Sequence, residues 1–300
     1  MLNRYIFTLA ASLMATTSAY GATTAQNATA AAAKVAVEQD DLEPDRPDVT
    51  NGTHIVDVGL LQMEVGGVWS RAGLGRHSVG TPSTLRLGLS EWFEARVSSD
   101  GFLSATDPSG TQTGIGNVQI GAKLRLWSDP GGVPVLSVLP TINLPAASES
   151  KGLGSGQADY TVAVLTGTDF LTRGHVDINY GVGRIGAGTG LPRFTQHLVS
   201  WSASVEIPGP VTPYVEGFWF SRQDPDGGRV AALDGGAIYV INPRFALDGG
   251  VQIGLTDAAP LSAFAGLSVV LGNVLGDHGV LARQRQTARR RAARAAKGSR

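Results

Sequence analysis

The stretch GIGNVQIGAKLRLW, residues 114 to 127, decides how this chain folds. Val118, Ile120, Ala122, Leu124 and Leu126 fall on one parity, and Asn117, Gln119, Lys123 and Arg125 on the other. A period of two marks a β-strand, because successive side chains of an extended chain point to opposite faces of the sheet. One face here is aliphatic and the other carries two amides and two cations. Whether the aliphatic face meets a protein core or lipid decides what the sheet is for.

Working outward from this strand, about twelve similar segments lie between residues 55 and 272. Their expected spans are 60 to 71, 82 to 89, 91 to 99, 115 to 127, 134 to 145, 158 to 170, 174 to 185, 196 to 207, 211 to 221, 230 to 241, 244 to 255 and 261 to 272. No helix-period run interrupts them. The connections alternate in length. LSE (89 to 91), SDPGGV (128 to 133), LTRG (171 to 174), PGP (208 to 210) and NP (242 to 243) are short. SDGFLSATDPSGTQTG (99 to 114), AASESKGLGSGQ (146 to 157), AGTGLPRFT (187 to 195) and QDPDGGRV (223 to 230) are long. Short turns at one end and long loops at the other are the pattern of an up-and-down barrel in an outer membrane, whose spanning strands run to about 9–11 residues. A soluble sandwich has no reason to keep that asymmetry.

Composition agrees with an all-β chain. Forty glycines in 300 residues, without a collagen period, suit tight turns and close backbone approach. The chain has no cysteine, which removes disulfides, zinc–thiolate sites and thiol catalysis. At the start, Arg4 precedes the apolar run YIFTLAASLMA and then Ala19 and Gly21, the layout of a signal peptide over residues 1–21. Residues 22–54, alanine-rich and then acidic, read as a periplasmic tether. The barrel is expected over 55–272 and a basic tail over 273–300. Within that tail RQRQTARRRAARAAKGSR holds eight of the 24 Lys and Arg and no acid. Setting aside those eight and Arg4 leaves 15 bases against 25 acids, so the net charge of −1 hides a mildly acidic body. The tail reads as a solvated segment or a contact for anionic groups, and without interleaved aromatics it does not point to nucleic acid.

Other strands repeat the two-faced pattern. Leu61, Met63, Val65 and Trp69 oppose Gln62, Glu64 and Ser70; Val176, Ile178, Tyr180 and Val182 oppose His175, Asp177 and Asn179; Phe245, Leu247, Val251, Ile253 and Leu255 oppose Arg244, Asp248 and Gln252. In lipid only a closed barrel satisfies every inter-strand N–H and C=O. Trp69, Trp92, Trp127, Tyr160, Trp201, Trp219 and Tyr239 fit interfacial girdles where they lie near strand ends, and are fillers where they do not. YVEGFWF (214 to 220), with aromatics on both parities, and LDGGAIYVIN (233 to 242), with Asp234 as its polar marker, leave their register open.

The sequence resembles the bacterial outer-membrane β-barrel family labelled "putative MetA-pathway of phenol degradation". The resemblance lies in DRPDVTNG (45 to 52), LQMEVGGVWS (61 to 70), TLRLGLSEWFEARV (84 to 97), GIGNVQIGAKLRL, LPTINLPAAS (139 to 148), DINYGVG (177 to 183) and the closing stretch 233 to 272. It covers about residues 45 to 272, and none of its motifs is a catalytic fingerprint. It implies a channel or transporter for passive or facilitated uptake of small solutes, aromatic or hydrophobic compounds among them. Outer-membrane lipid, a small solute and the barrel-assembly machinery are the expected partners. The sequence departs from the common pattern at its last strand, which ends VVLG rather than on an aromatic residue.

A lumen of about twelve strands is a narrow path, since eight strands fill with side chains and sixteen leave a channel. The inward parity offers Glu64, Arg86, Glu94, Arg96, Asn117, Gln119, Lys123, Arg125, Asp159, His175, Asp177, Glu206, Asp234, Arg244 and Asp248 as the solute path. Arg86, Glu94, Arg96, Lys123 and Arg125 can form one ladder of mixed sign, read either as a structural brace or as a cationic constriction. Two other functions compete. A phospholipase-like barrel needs a Ser and a His in reach, but His197 has the opposite parity to Ser200, Ser202 and Ser204, and His175 has no serine partner in its own strand. A secreted β-sandwich that binds a ligand needs no membrane. GLGSG, GVGRIGAG and GAGTG lack the helix and GK[ST] of a phosphate loop, DPDGG lacks the distal Glu of a calcium loop, and the five histidines lack metal-ligand spacing. No cofactor, metal or catalytic residue is expected.

Overall fold

The computed structural model describes residues 42, 44–46, 49–73, 75–127, 134–170, 173–276 and 279. The expected signal peptide, the tether before residue 42, the 128–133 turn and the Arg-rich run from 283 lie outside the described residues. Fifteen strands are present among those described: β1 (Leu60–Arg71), β2 (His77–Gly80), β3 (Ser83–Ser90), β4 (Phe93–Ser99), β5 (Phe102–Asp107), β6 (Gly110–Ile115), β7 (Val118–Trp127) and β8 (Val135–Leu144). The rest are β9 (Asp159–Phe170), β10 (Gly174–Ile185), β11 (Phe194–Val205), β12 (Val211–Phe220), β13 (Val230–Asn242), β14 (Phe245–Gly254) and β15 (Leu261–Asn273).

Every neighbouring pair is antiparallel, and β15 returns to pair with β1 from Leu60↔Asn273 to Arg71↔Leu261, so the sheet closes on itself. The barrel wall has twelve strands because three of them are each split into two segments. β1 pairs β3 along Leu61–Val65 and β2 along Val68–Arg71, with Thr81 and Pro82 at the break. β4 and β5 part at Asp100 and Gly101, and β6 and β7 at Gly116 and Asn117. The three breaks lie side by side, since Thr81 N–H bonds to the Phe102 carbonyl and Asp100 N–H to the Asn117 carbonyl. Gly101, at φ 64°, takes a turn that an L side chain would strain, and Pro82 cannot donate to a ladder.

The long connection expected over 99–114 is therefore mostly a hairpin of β5 and β6, paired from Phe102↔Ile115 to Asp107↔Gly110. Gly, Asp, Pro and Ser mark its bends and masked the alternation between them: Leu103 and Ala105 turn inward and are buried, while Phe102 is exposed. The loop over 145–158 folds against it through Ala147 and Leu153.

The faces are inverted relative to a water-soluble protein. On β7 Ile120 is 51% exposed while Lys123 is fully buried; Ile178 of β10 and Val251 of β14 are 48% and 59% exposed. Aliphatic side chains outside and charges inside is the arrangement a lipid solvent selects. All seven expected girdle aromatics lie on the outer surface. Trp201, in the middle of β11, instead packs over Gly217 of β12, where an added Cβ would come 2.7 Å from its indole nitrogen. The register left open for 214–242 is settled by Val211↔Tyr239 to Phe220↔Val230. Tyr214, Glu216, Phe218 and Phe220 point inward and Val215 and Trp219 outward.

Candidate functional site

The lumen is occupied by the chain itself. The described part of residues 42–57, at the end of the stretch expected to be a tether, lies among the inward side chains. Leu42 N–H bonds to the Pro243 carbonyl at the turn end of the barrel, and Leu42 packs with Val56, Leu60, Ile238, Ala246 and Val270. Farther in, the segment meets seven strands: β1, β3, β4 and β7 through Asp45, β14 through Arg46, β12 through Val49 and Thr50, and β8 through Thr53. It leaves beside Gly88, where Val58 bridges.

Glycines make the seat. Gly66 of β1 and Gly266 of β15 stand directly opposite each other, and a Cβ on either would collide with the Arg46 guanidinium. In that slot Arg46 Nε and Nη2 donate to the two oxygens of Asp248, each at 3.2 Å, a two-point contact that a planar guanidinium favours. At Gly88 an added Cβ would run into the Val56 and Asp57 carbonyls.

The expected ladder of β3, β4 and β7 is present, and it is completed from an unexpected place. Arg86 donates to Glu94 at 2.9 and 3.0 Å and to Glu64 Oε1 at 2.8 Å, and Arg96 Nε lies 2.9 Å from Glu94. Lys123 stands opposite Glu94 in the register but bonds to Asp45 Oδ2 at 2.7 Å and to the His54 carbonyl at 3.0 Å. Arg86 Nη2, at 3.0 Å, and Arg96 Nη2 reach the same Asp45 oxygen. Backbone groups of the segment use the wall carboxylates in return: Asp45 N–H donates to Glu64 and Val56 N–H to Glu94. Arg96 also holds Asn51 Oδ1 at 2.9 Å. In a medium with little water these charges persist only because each has a counter-charge or a hydrogen bond.

The remaining candidates separate into groups. Arg125 reaches the Thr53 carbonyl rather than Glu94, beside Ser137, which donates to the same oxygen at 3.1 Å. His175 Nδ1 is 2.8 Å from Asp169 and its Nε2 3.1 Å from Asp177, with the His54 ring 6.0 Å away. Asp159 accepts from Asn143 and from Gly186 N–H near the loop end, and Asn117 Oδ1 receives Ala147 N–H, tying the 145–158 loop to the wall. Gln119, half-buried, pairs with Ser98 and Asn143, and Asp234 with Glu216. Two candidates are not in the lumen wall. Glu206 follows β11 in a turn, and Arg244, exposed, precedes β14 and bonds to the Val270 carbonyl. Parity extended past a strand end no longer reports a face.

Sequence reasoning missed Asp45, Arg46, Thr50 and Glu216. Thr50 donates to Glu216 through both its amide and its hydroxyl, and Val49 N–H donates to the other oxygen at 2.8 Å. Glu216 was hidden by the aromatics around it. The segment's signal was its place in the DRPDVTNG motif, where composition alone reads as a solvated linker.

The ring nitrogens of the two strand histidines, His175 and His197, meet other partners than serine. His197 lies on the outer parity, its Nδ1 2.9 Å from the Tyr180 hydroxyl, and both ring nitrogens of His175 lie against carboxylates, so neither is turned to a serine. No group of three or more metal-ligating side chains occurs among the described residues.

A closed twelve-stranded barrel with an aliphatic exterior, interfacial aromatics and a charged interior defines an outer-membrane β-barrel protein. The family model "Putative MetA-pathway of phenol degradation" matches residues 44–271, and the chain belongs to that family. The match begins at Pro44 and so includes the inserted segment. The COG4313 outer membrane channel from Pseudomonas putida F1 has a similar structure, with a TM-score of 0.58 at 11% identity, covering 73% of this chain and 98% of that one. The NanC porin gives 0.51 at 12%, covering 69% and 98%. At such identities the likeness is one of fold. No curated protein matches in sequence.

Proposed function

We propose that this protein is an outer-membrane channel for small solutes, closed in the conformation seen here by residues 42–57 acting as a plug. The observation that carries this reading is the way the segment is held. Its described residues are fixed to seven strands by hydrogen bonds and ion pairs, none of them covalent. A barrel needing only rigidity would fill its interior from its own strands, as eight-stranded barrels do. A removable chain leaves behind a polar, charged wall of the kind that sets solute preference in pores. The COG4313 channel and the NanC porin, both named for passage, share the architecture. Small aromatic or hydrophobic compounds are the proposed solutes, in keeping with the family's label. Outer-membrane lipid and the barrel-assembly machinery are the proposed partners.

Planar-bilayer recording tests this. The full chain is expected to open rarely, and Arg46→Ala, which frees Asp248 and empties the Gly66–Gly266 slot, to raise the open fraction severalfold. Silence from both, with each shown to be folded by faster gel migration before heating, would overturn the channel reading.

A further inference from the structure

Three buried cations converge on one oxygen that the barrel wall does not own. Arg86 of β3, Arg96 of β4 and Lys123 of β7 all contact Asp45 Oδ2, Arg86 at 3.0 Å and Lys123 at 2.7 Å. The wall supplies two carboxylates to this cluster, Glu64 and Glu94, so the charges balance only while Asp45 is seated. Without it, three cations that lie buried around Asp45 share two wall carboxylates. A buried charge without a partner is costly, and an anion that replaces the partner relieves that cost. Two guanidinium forks and an ammonium directed at one point suit a carboxylate.

Four residues along, the same segment offers an apolar group to an apolar surface. Val49 packs against the cluster of Phe218, Phe220, Val230 and Ala232 on β12 and β13. Within a few residues the plug thus presents a carboxylate to the cations and a hydrocarbon side chain to the phenylalanines. A small aromatic or aliphatic monocarboxylate carries the same two features.

We propose that Arg86, Arg96 and Lys123 form a binding site for the carboxylate of a small apolar acid, that Asp45 is its resident substitute, and that the solute unseats the plug by replacing Asp45. The gating half rests on the channel reading above; the binding half does not require conduction. Because the site is available only in the fraction of molecules with Asp45 withdrawn, its apparent affinity is reduced by that fraction, and removing the internal competitor should tighten binding by ~10-fold or more.

The chain has no cysteine, so Val49→Cys adds a single thiol whose maleimide labelling reports release of the plug. Benzoate should accelerate labelling several-fold in the refolded full chain, whereas benzamide, of the same shape without the charge, and chloride at equal ionic strength should not. Cleavage of the unsubstituted protein by an Asp-specific protease between Asp45 and Asp57 gives the same readout if Val49→Cys does not fold. Calorimetry should show benzoate binding more tightly to Asp45→Asn than to the parent. Labelling and cleavage unmoved by benzoate, or moved equally by benzamide or chloride, would overturn the proposal, as would equal affinity in the two proteins. Benzoate binding with plug release and a silent bilayer would refute the channel reading alone; conduction without benzoate binding would refute the site alone.

Discussion

The two sides of the lumen solve one problem in opposite ways. On β1, β3, β4 and β7 the interior is ionic, with Arg86 at its centre touching Glu64, Glu94 and Asp45. On β12, β13 and β15 hydrocarbon flanks one carboxylate pair, Glu216 and Asp234, with Phe218, Phe220 and Val230 in one cluster and Tyr214 and Phe264 with Val68 of β1 in another. The hydrocarbon side packs without needing directions. The ionic side is tolerable only when every group is matched, and its last match comes from outside the wall.

Substitutions that unbalance one side and not the other test this contrast. Arg86→Met should have the largest effect, because it leaves three carboxylates with only two cations, Arg96 and Lys123, in a buried site; breaking one partner of a buried ionic cluster costs about 3–5 kcal/mol. Denaturant unfolding of the refolded barrel measures it, and a loss under 1 kcal/mol would mean that the cluster is well hydrated. Phe218→Ala on the other side should cost about 3 kcal/mol, as buried phenylalanine truncations do, but without the salt dependence expected of the ionic side.

On the outer face Ile178→Arg should destabilise the barrel by about 2–4 kcal/mol in a bilayer, the range for a cation near the membrane midplane. In short-chain detergent the penalty should shrink, and an equal penalty in both would count against a lipid-facing Ile178. Gly66→Ala should cost about 1–3 kcal/mol through overpacking against Arg46. Gly67→Ala, one residue along and facing open space, should stay within about 0.5 kcal/mol. Equal stability of the two variants would show that the slot is not filled by Arg46.

Much of the wall was legible in the sequence because parity is a local property. Val118 to Leu126 had to share a face whatever lay opposite, and twelve alternating runs with unequal connections could close in few ways. Phe218 and Phe220 were harder to place, because a strand with apolar groups on both faces gives no contrast in hydrophobicity. The 102–115 hairpin was hidden by the glycines and prolines that bend it. Parity does not place Glu206 and Arg244, which lie just beyond the points where β11 ends and β14 begins.

The sequence by itself determined most of the strands and, where they alternate, their two faces, since alternation and turn chemistry act over a few residues. Only the tertiary structure decided that Asp45 completes a cluster whose other members lie 19 to 78 residues away along the chain. An acidic, proline-containing stretch has the same composition whether water or buried cations surround it. What distinguishes the two cases is burial among opposite charges, and that exists only once the barrel has closed around the segment.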